Sequence, residues 1–190
     1  MKINLSTLLA LTPAAVAALS PISVQAGQNY FLKLDGIPGE SIDKAHKEWV
    51  EIQSWSFGVT AESSWTKGGG ASVGKPNPGP FAMTANLSKV SPTLYSYITQ
   101  GKAIPSVTLA VAKTTGNGTT TDFYTIKLEG VFLTGAKTGG SSSDGGQPTE
   151  SFTMVFKTAT WSYATIDAKG VVGKPTAFMW DVPAGTVVKP

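Results

Sequence analysis

The sequence contains no cysteine and no arginine, and it has a single histidine, His46. A chain without cysteine cannot use disulfide bonds, thiolate metal sites or thiol catalysis. All 15 cationic residues are lysines, scattered singly along the chain, whereas nucleic-acid-binding proteins favour clustered basic residues and the bidentate contacts of arginine. One histidine also excludes a metal site built from several histidines. The sequence therefore predicts no nucleic-acid partner, no metal ion and no cofactor.

Long apolar runs are equally scarce, and the one that is present lies near the start of the sequence, at residues 3–20. It follows a single positive charge and precedes a Val-x-Ala pattern ending at Ala26, which is typical of a cleavable secretory signal peptide. We expect residues 1–26 to be removed and residues 27–190 to form one domain. No second run is long enough to cross a bilayer. The mature chain is therefore expected in the periplasm or outside the cell, away from the membrane.

Alternation of apolar and polar residues at period two dominates the mature chain and indicates strands with one buried face. The alternating runs are residues 30–34, 81–87, 107–111, 124–128 and 152–156. A last apolar stretch, residues 177–182, is expected to form a closing strand. One short helix is expected between Ser91, which can cap it, and Gly101, which can end it, with Pro92 in the first helical position. These patterns predict an all-β, mainly antiparallel barrel or sandwich with one short α-helix.

The segment at residues 49–57 departs from this alternation. Its apolar residues begin as Val50 and Ile52 and then change parity to Trp55 and Phe57. Two interpretations are open at this point. The strand either contains a β-bulge just after Ile52 or is buried on both faces, with one face against a partner subunit.

The stretch GGASVGKP at residues 69–76 has the glycine and lysine spacing of a phosphate-binding loop. Pro76, however, stands where such a loop needs Ser or Thr, and it supplies neither a hydroxyl group nor an N–H. The proline-rich residues that follow cannot begin a helix. We therefore interpret the match as accidental and residues 60–80 as a long, mobile Gly/Pro-rich loop. A loop of that length in a small domain usually has a binding role.

Three residues of the charged stretch GESIDKAHKEW could form a hydrolytic site, namely Glu40, Asp43 and His46. Histidine is the usual general base, and paired carboxylates serve glycoside hydrolysis. No pair of carboxylates is isolated in an apolar setting, and the surrounding charges are typical of a solvated loop. We expect this stretch to face solvent and the protein not to be an enzyme.

Five tryptophans are a large aromatic load for a small barrel. Core packing accounts for two or three of them, and the others could line a subunit interface or a sugar-binding platform. Trp65 lies within residues 60–80, a segment too polar to have a core of its own. A secreted module that binds a glycan or a partner surface is therefore an alternative to self-assembly.

The order of motifs extends over the whole mature chain. YFLKLDGIPGESIDKAHKEWVEIQSWSFG at residues 30–58 is followed by a Gly-rich loop, by the helical stretch SKVSPTLYSYITQGK, and by PSVTLAVAK, YTIKLEGVFLTGAKTGG, TESFTMVFKTATWSY and FMWDV. This ordered combination resembles the Hcp family, the haemolysin-coregulated tube proteins of type VI secretion. The resemblance implies a compact antiparallel β-barrel whose copies form homohexameric rings. It further implies that rings stack into a hollow tube that carries small effector proteins and works with spike and sheath proteins.

The resemblance also implies that the loop at residues 60–80 reaches a neighbouring ring. Tyr30 and Phe31 on opposite faces of one strand, together with the aromatic residues after the parity change, are expected to leave apolar surface that a ring would cover. We assign ring or stacking contacts to Trp55, Phe57, Trp65, Lys67, Gly68, Gly69, Gly70 and Lys75. Type VI tubes assemble in the cytoplasm, so an exported extracellular ring or filament that is unrelated to contractile injection is an alternative.

Overall fold

The computed structural model describes residues 27–66, 70–114, 119–142, 145–167 and 170–189, without the side chains of Trp65, Thr66 and Ala71. The predicted signal peptide, residues 1–26, lies outside this part of the chain and stays a prediction. In the described part, no helix has the length and apolar character needed to cross a membrane.

The described residues form thirteen strands and one α-helix. In chain order these elements are β1 (Gln28–Leu34), β2 (Val50–Ser56), β3 (Val59–Thr60), β4 (Ser63–Thr66), β5 (Gly70–Val73), β6 (Asn77–Pro78), β7 (Phe81–Asn86), α1 (Ser91–Gln100), β8 (Ile104–Thr114), β9 (Thr120–Gly139), β10 (Thr149–Val155), β11 (Thr158–Tyr163), β12 (Thr176–Asp181) and β13 (Thr186–Val188).

Six of these strands close into an antiparallel barrel in the order β10, β7, β2, β1, β8 and β9, with β9 returning to pair with β10. The predicted all-β, mainly antiparallel barrel with one helix is confirmed. Residues that alternate in the sequence meet across neighbouring strands on the inner face, as where Leu32 lies opposite Leu109 and Leu109 opposite Ile126. Each of these three side chains is at most 1% exposed. The period-two pattern thus marks the core of the barrel correctly.

Strand β9 is 20 residues long and belongs to two parts of the sheet. Its first half pairs with β8 and β11, and its second half pairs with β10. Gly130, at a φ of 61°, lies between the halves in a left-handed conformation that favours glycine. Strands β11, β12 and β13 continue the sheet beyond the barrel, and we call them the flap. The sequence predicted only residues 124–128 of β9 as a strand, because the glycines interrupt its alternation.

Helix α1 packs Leu94, which is 1% exposed, into the core. The predicted end of the helix is confirmed, because Gly101 adopts a φ of 60° and its N–H binds the carbonyl of Ile98. The predicted cap at Ser91 is wrong. The N-cap position is Val90, and Ser91 Oγ instead donates to the buried Glu150 carboxylate at 2.7 Å.

The segment at residues 60–80 is more ordered than its composition indicates. Strand β3 pairs with β6 at its base, and β4 pairs with β5 further out. Between these two ladders, Gly74 N–H donates to the Glu62 carbonyl at 2.7 Å. We call residues 59–78 the arm, since they form a two-stranded ribbon that belongs to neither the barrel nor the flap.

Strand β1 is buried on its outer face at one residue. Its outer side carries Phe31, which is 4% exposed and packs with Ala110, Ala112 and Trp49 in a small second core. The expectation that Phe31 adds exposed apolar surface is therefore wrong. Phe31 is buried because the segment at residues 35–49, the β1–β2 loop, folds back over this side of the barrel.

Candidate functional site

The bulge predicted after Ile52 is confirmed, because the register between β2 and β7 shifts between Ile52 and Ser54. The shift returns Trp55 and Phe57 to the inner side of the sheet, where both are half-buried against the core. The ring of Trp55 stacks 6.1 Å from that of Phe81 and 6.0 Å from that of Tyr124. The bulge, rather than a partner subunit on a second face, thus explains the change of parity.

The other predicted contact residues belong to the arm. The backbone of Trp65 lies in β4 opposite Ala71, and Gly70 begins β5 at a φ of 80°. Lys75 Nζ lies 3.5 Å from the carbonyl oxygen of Pro183, in the turn between β12 and β13. The base of the arm therefore rests against the flap. Three predicted contact residues lie outside the described residues: Lys67, Gly68 and Gly69.

An open aromatic groove lies where the flap, the arm and the barrel meet. Its volume is about 470 Å³, and its walls include Phe57, Tyr124, Trp161, Phe178, Trp180 and Val187. The rings of Trp161 and Phe178 stack at 4.7 Å with planes 15° apart. Phe178 is nevertheless 41% exposed and Val187 is 63% exposed. This groove is built for apolar contacts rather than for holding an ion.

The aromatic groove contains one predicted contact residue, Phe57, but sequence analysis did not assign Trp161, Phe178 or Trp180 to it. The tryptophan content was the available signal. It could not locate the groove because β11 was not recognised as a strand. Within the flap, Trp161 of β11 lies opposite Phe178 of β12, and Ala159 lies opposite Trp180.

Exposed apolar side chains also occur away from the groove. Ile42, in the β1–β2 loop, is 95% exposed, and Val73 of the arm is 71% exposed. Strand β13 has β12 on one side and, within the part of the chain described, no strand on the other. Its Val187 and Val188 are exposed along that edge. Unpaired apolar edges of this kind favour pairing with another chain.

The charged stretch around His46 does not face solvent as expected. His46 is 2% exposed, and its ring stacks 4.0 Å from that of Phe31. Its Nδ1 lies 2.8 Å from Asp43 Oδ1, and its Nε2 lies 2.9 Å from Asp122 Oδ1. Neither ring nitrogen is therefore free to exchange a proton with a substrate. Glu40, the third residue of the hydrolase hypothesis, accepts the backbone N–H of Lys89 at 3.1 Å.

Ionisable groups near these features have shifted pKa values with identifiable causes. Burial raises the pKa of the Tyr124 phenol at the edge of the groove and that of the Glu150 carboxyl beneath α1. A hydrogen bond from Lys127 lowers the pKa of the Glu129 carboxyl on the barrel surface. Among the described residues, no three His, Cys, Asp or Glu side chains are placed to hold a metal ion.

The sequence and the fold match a family of known proteins. The family model described as "Type VI secretion system effector, Hcp" matches residues 31–163. The protein Hcp1 of Pseudomonas aeruginosa is 30% identical over 153 residues, which cover 80% of this chain and 93% of that protein. A solved structure of a type six secretion system protein has a TM-score of 0.79 at 24% identity, covering 85% of this chain and 100% of its own. Hcp1 from Salmonella typhimurium has a TM-score of 0.70 at 25% identity, with 85% and 99% covered. The chain described here belongs to the Hcp family of type VI secretion proteins.

Proposed function

We propose that the processed chain is an exported tube subunit, whose copies close into hexameric rings that stack into a hollow tube. The observation that carries this proposal is the family match over residues 31–163, with solved relatives of the same fold. Membership of this family supports a structural role in type VI secretion. The sixfold ring, the stacking of rings and the export of the chain are the finer parts of the proposal.

Two unlike surfaces project from the barrel and favour head-to-tail contacts between copies. The arm is a narrow two-stranded ribbon, whereas the flap ends in the apolar edge strand β13 and borders the aromatic groove. A contact between two different surfaces repeats from one copy to the next and closes into a ring when the rotation allows it. Such contacts would cover the exposed Phe178, Val187 and Val188.

The proposal includes a cellular route and a set of partners. Cleavage after Ala26 would release the mature chain on the far side of the inner membrane, into the periplasm or beyond. The partner of each subunit is then the same chain. Small effector proteins in the lumen and the spike or sheath of a type VI system are further partners under this proposal.

The test is the oligomeric state of residues 27–190 at micromolar concentration, measured by size-exclusion chromatography with light scattering. We expect hexamers, with rings visible by negative-stain electron microscopy. Val187→Lys places a charge on the exposed edge strand and should shift the protein toward monomers. Val171→Lys is the matched control, because Val171 is 61% exposed in a loop outside the flap strands, and it should leave the hexamer unchanged.

A wild-type protein that stays monomeric would contradict the proposal. If such a monomer also binds glycans on an array and loses that binding on Trp65→Ala, the secreted binding-module alternative is supported instead. A different result would be that rings form but bacterial killing does not depend on sheath or spike genes. That result would favour an extracellular assembly that is unrelated to contractile injection.

A further inference from the structure

The buried His46 joins two parts of the chain that are far apart in sequence. Asp43 belongs to the same β1–β2 loop, whereas Asp122 lies on β9, 76 residues further along the chain than His46. Thr120 Oγ1, also on β9, donates to the second oxygen of Asp43 at 2.9 Å. The cluster therefore fastens the β1–β2 loop to the strand that forms one side of the barrel.

The proton count of this cluster follows from its hydrogen-bond chemistry. An ionised carboxylate can only accept hydrogen bonds, and a neutral imidazole has only one N–H to donate. His46 has a carboxylate oxygen within 2.9 Å of each ring nitrogen. Both bonds form together only when the ring carries two N–H groups and hence a positive charge.

We propose that His46 is a doubly protonated clamp, whose two N–H groups hold the β1–β2 loop on β9 by donating to one carboxylate each. In a ring with only one N–H, one nitrogen lone pair would face a carboxylate oxygen at hydrogen-bond distance, and the attraction would become repulsion. This inference goes beyond assembly and does not depend on it.

The surroundings of the ring leave the two carboxylates as its charged partners. The β1 face presents Phe31, and the small second core contributes the apolar Ala110 and Ala112 of β8. From the loop, Trp49 meets the ring edge-on at 4.9 Å, and Lys33 Nζ lies 6.0 Å from the centre of the Trp49 ring. A cation with apolar contacts and two carboxylates is well stabilised as long as both carboxylates stay ionised.

The carboxylate of Asp43 keeps its negative charge when the solution becomes mildly acidic. Burial alone would raise the pKa of the Asp43 carboxyl, but hydrogen bonds from His46, Thr120 and the backbone outweigh it and hold that pKa below its usual range. Asp43 therefore stays ionised in mildly acidic solution.

Opening of the clamp has a structural consequence. The loop is a narrow hairpin in which Ser41 N–H donates to the Trp49 carbonyl at 2.9 Å and Glu48 N–H donates to the Ser41 carbonyl at 2.9 Å. Glu48 has a φ of 63°, which is unfavourable for a residue with a side chain. Release of the loop would relieve that strain and expose Phe31, which is buried beneath the loop.

The test uses the fact that the sequence has one histidine. Every imidazole signal in a nitrogen-15 NMR spectrum of residues 27–190, purified without a histidine tag, belongs to His46. We expect both ring nitrogens to give protonated signals at pH 7. A spectrum with one protonated and one unprotonated nitrogen at pH 7 would overturn the proposal.

Hydrogen exchange provides the second measurement. Asp122→Asn keeps an acceptor oxygen but removes the charge, so the bond from the ring loses its carboxylate partner and becomes weaker, and exchange of the Ser41 and Glu48 amides should rise about tenfold. Asp35→Asn is the control, because it removes an equal charge from an exposed position at the start of the loop, away from the contacts of His46. Equal exchange in the two variants, after correction for intrinsic rates, would contradict the clamp.

Discussion

Glu150 is an acidic residue in the interior of a barrel that is otherwise apolar. Its side chain is 2% exposed, and one carboxylate oxygen accepts the hydroxyl of Ser91 at 2.7 Å. The other oxygen has no hydrogen-bond partner within the described part of the chain. Burial consequently raises the pKa of the Glu150 carboxyl above its usual value. The folded protein thus holds a proton here at pH values where the unfolded chain has released it.

This shift predicts the sign of one pH effect on stability. Between the usual glutamate pKa and the raised one, the folded state binds more protons than the unfolded state, so this contribution is lost as pH rises. Glu150→Gln removes that loss and should increase the free energy of unfolding at pH 8 by about 1 kcal/mol. Urea unfolding of both proteins between pH 4 and pH 8 measures the difference, which should shrink toward the acid end.

Glu129→Gln is the control for this prediction, and its expected effect has the opposite sign. Glu129 is exposed and bonded to Lys127, which lowers its pKa, so its contribution is present at neutral pH and lost as pH falls. The effect should be small because the pair is solvated. A Glu150→Gln variant that is less stable than the parent at pH 8 would contradict the assignment.

Sequence analysis succeeded at single residues when the relevant neighbours were close in the chain. The parity change at Trp55 and Phe57 was readable, because a bulge leaves its signature within one strand. His46 was misjudged because the nearby charges of its loop are typical of solvent exposure, while its second partner, Asp122, lies on a distant strand. A contact between residues that are far apart in the sequence leaves no pattern in the sequence around either residue.

At the scale of elements, the bulge in β2 decides which face of the strand carries the aromatic residues. One extra residue, Gln53, stands between Ile52 and Ser54, whose partners in β7 are adjacent. Deletion of Gln53 should restore regular alternation with Trp55 and Phe57 still facing inward. Such a variant should keep its fold and lose only the contacts of the bulge, including the Gln53 hydrogen bond to Asn86.

Insertion of one serine after Gln53 is the matched change in the other direction. In a regular strand it would keep Trp55 and Phe57 facing inward but move them two positions along β7, with the new serine facing inward opposite Met83; otherwise it would enlarge the bulge. We expect a loss of at least about 2 kcal/mol of stability from disturbed aromatic packing. Denaturant unfolding followed by tryptophan fluorescence measures both variants. If the deletion proves as destabilising as the insertion, the register of β2 against β7 does not control the packing of this strand.

Elements with strong alternation were predicted, as was β12 from the apolar stretch at residues 177–182, whereas elements with neither signal were missed. Strands β1, β7, β8 and β10 and helix α1 follow from apolar period and from the Pro92 and Gly101 signals. The arm escaped recognition because its strands are short and most of their described side chains are exposed, so no period marks a buried face. The flap strand β11 was missed since its inward residues, Ala159 and Trp161, are too few to establish a period.

At the scale of the whole molecule, the arm can be removed without cutting into the barrel. Gly74 N–H already binds the Glu62 carbonyl at 2.7 Å, so the two residues stand at hydrogen-bond distance across the ribbon. Replacement of Ser63–Val73 by Asn-Gly supplies a two-residue hairpin turn between them. The ladder between β3 and β6 and the contact of Lys75 with the flap would stay in place.

Under the proposed function, this shortened arm separates two kinds of contact. The barrel and the flap stay intact, so rings should form as before, whereas the part of the arm that would reach a neighbouring ring is gone. We expect hexamers by light scattering and a large drop in stacked tubes by negative-stain microscopy at the same concentration. Val187→Lys should act in the opposite way and reduce the hexamers themselves, because it charges the edge of the flap. Tubes of unchanged length in the shortened variant would show that stacking uses another surface, and loss of the hexamer would show that the arm contacts neighbours within a ring.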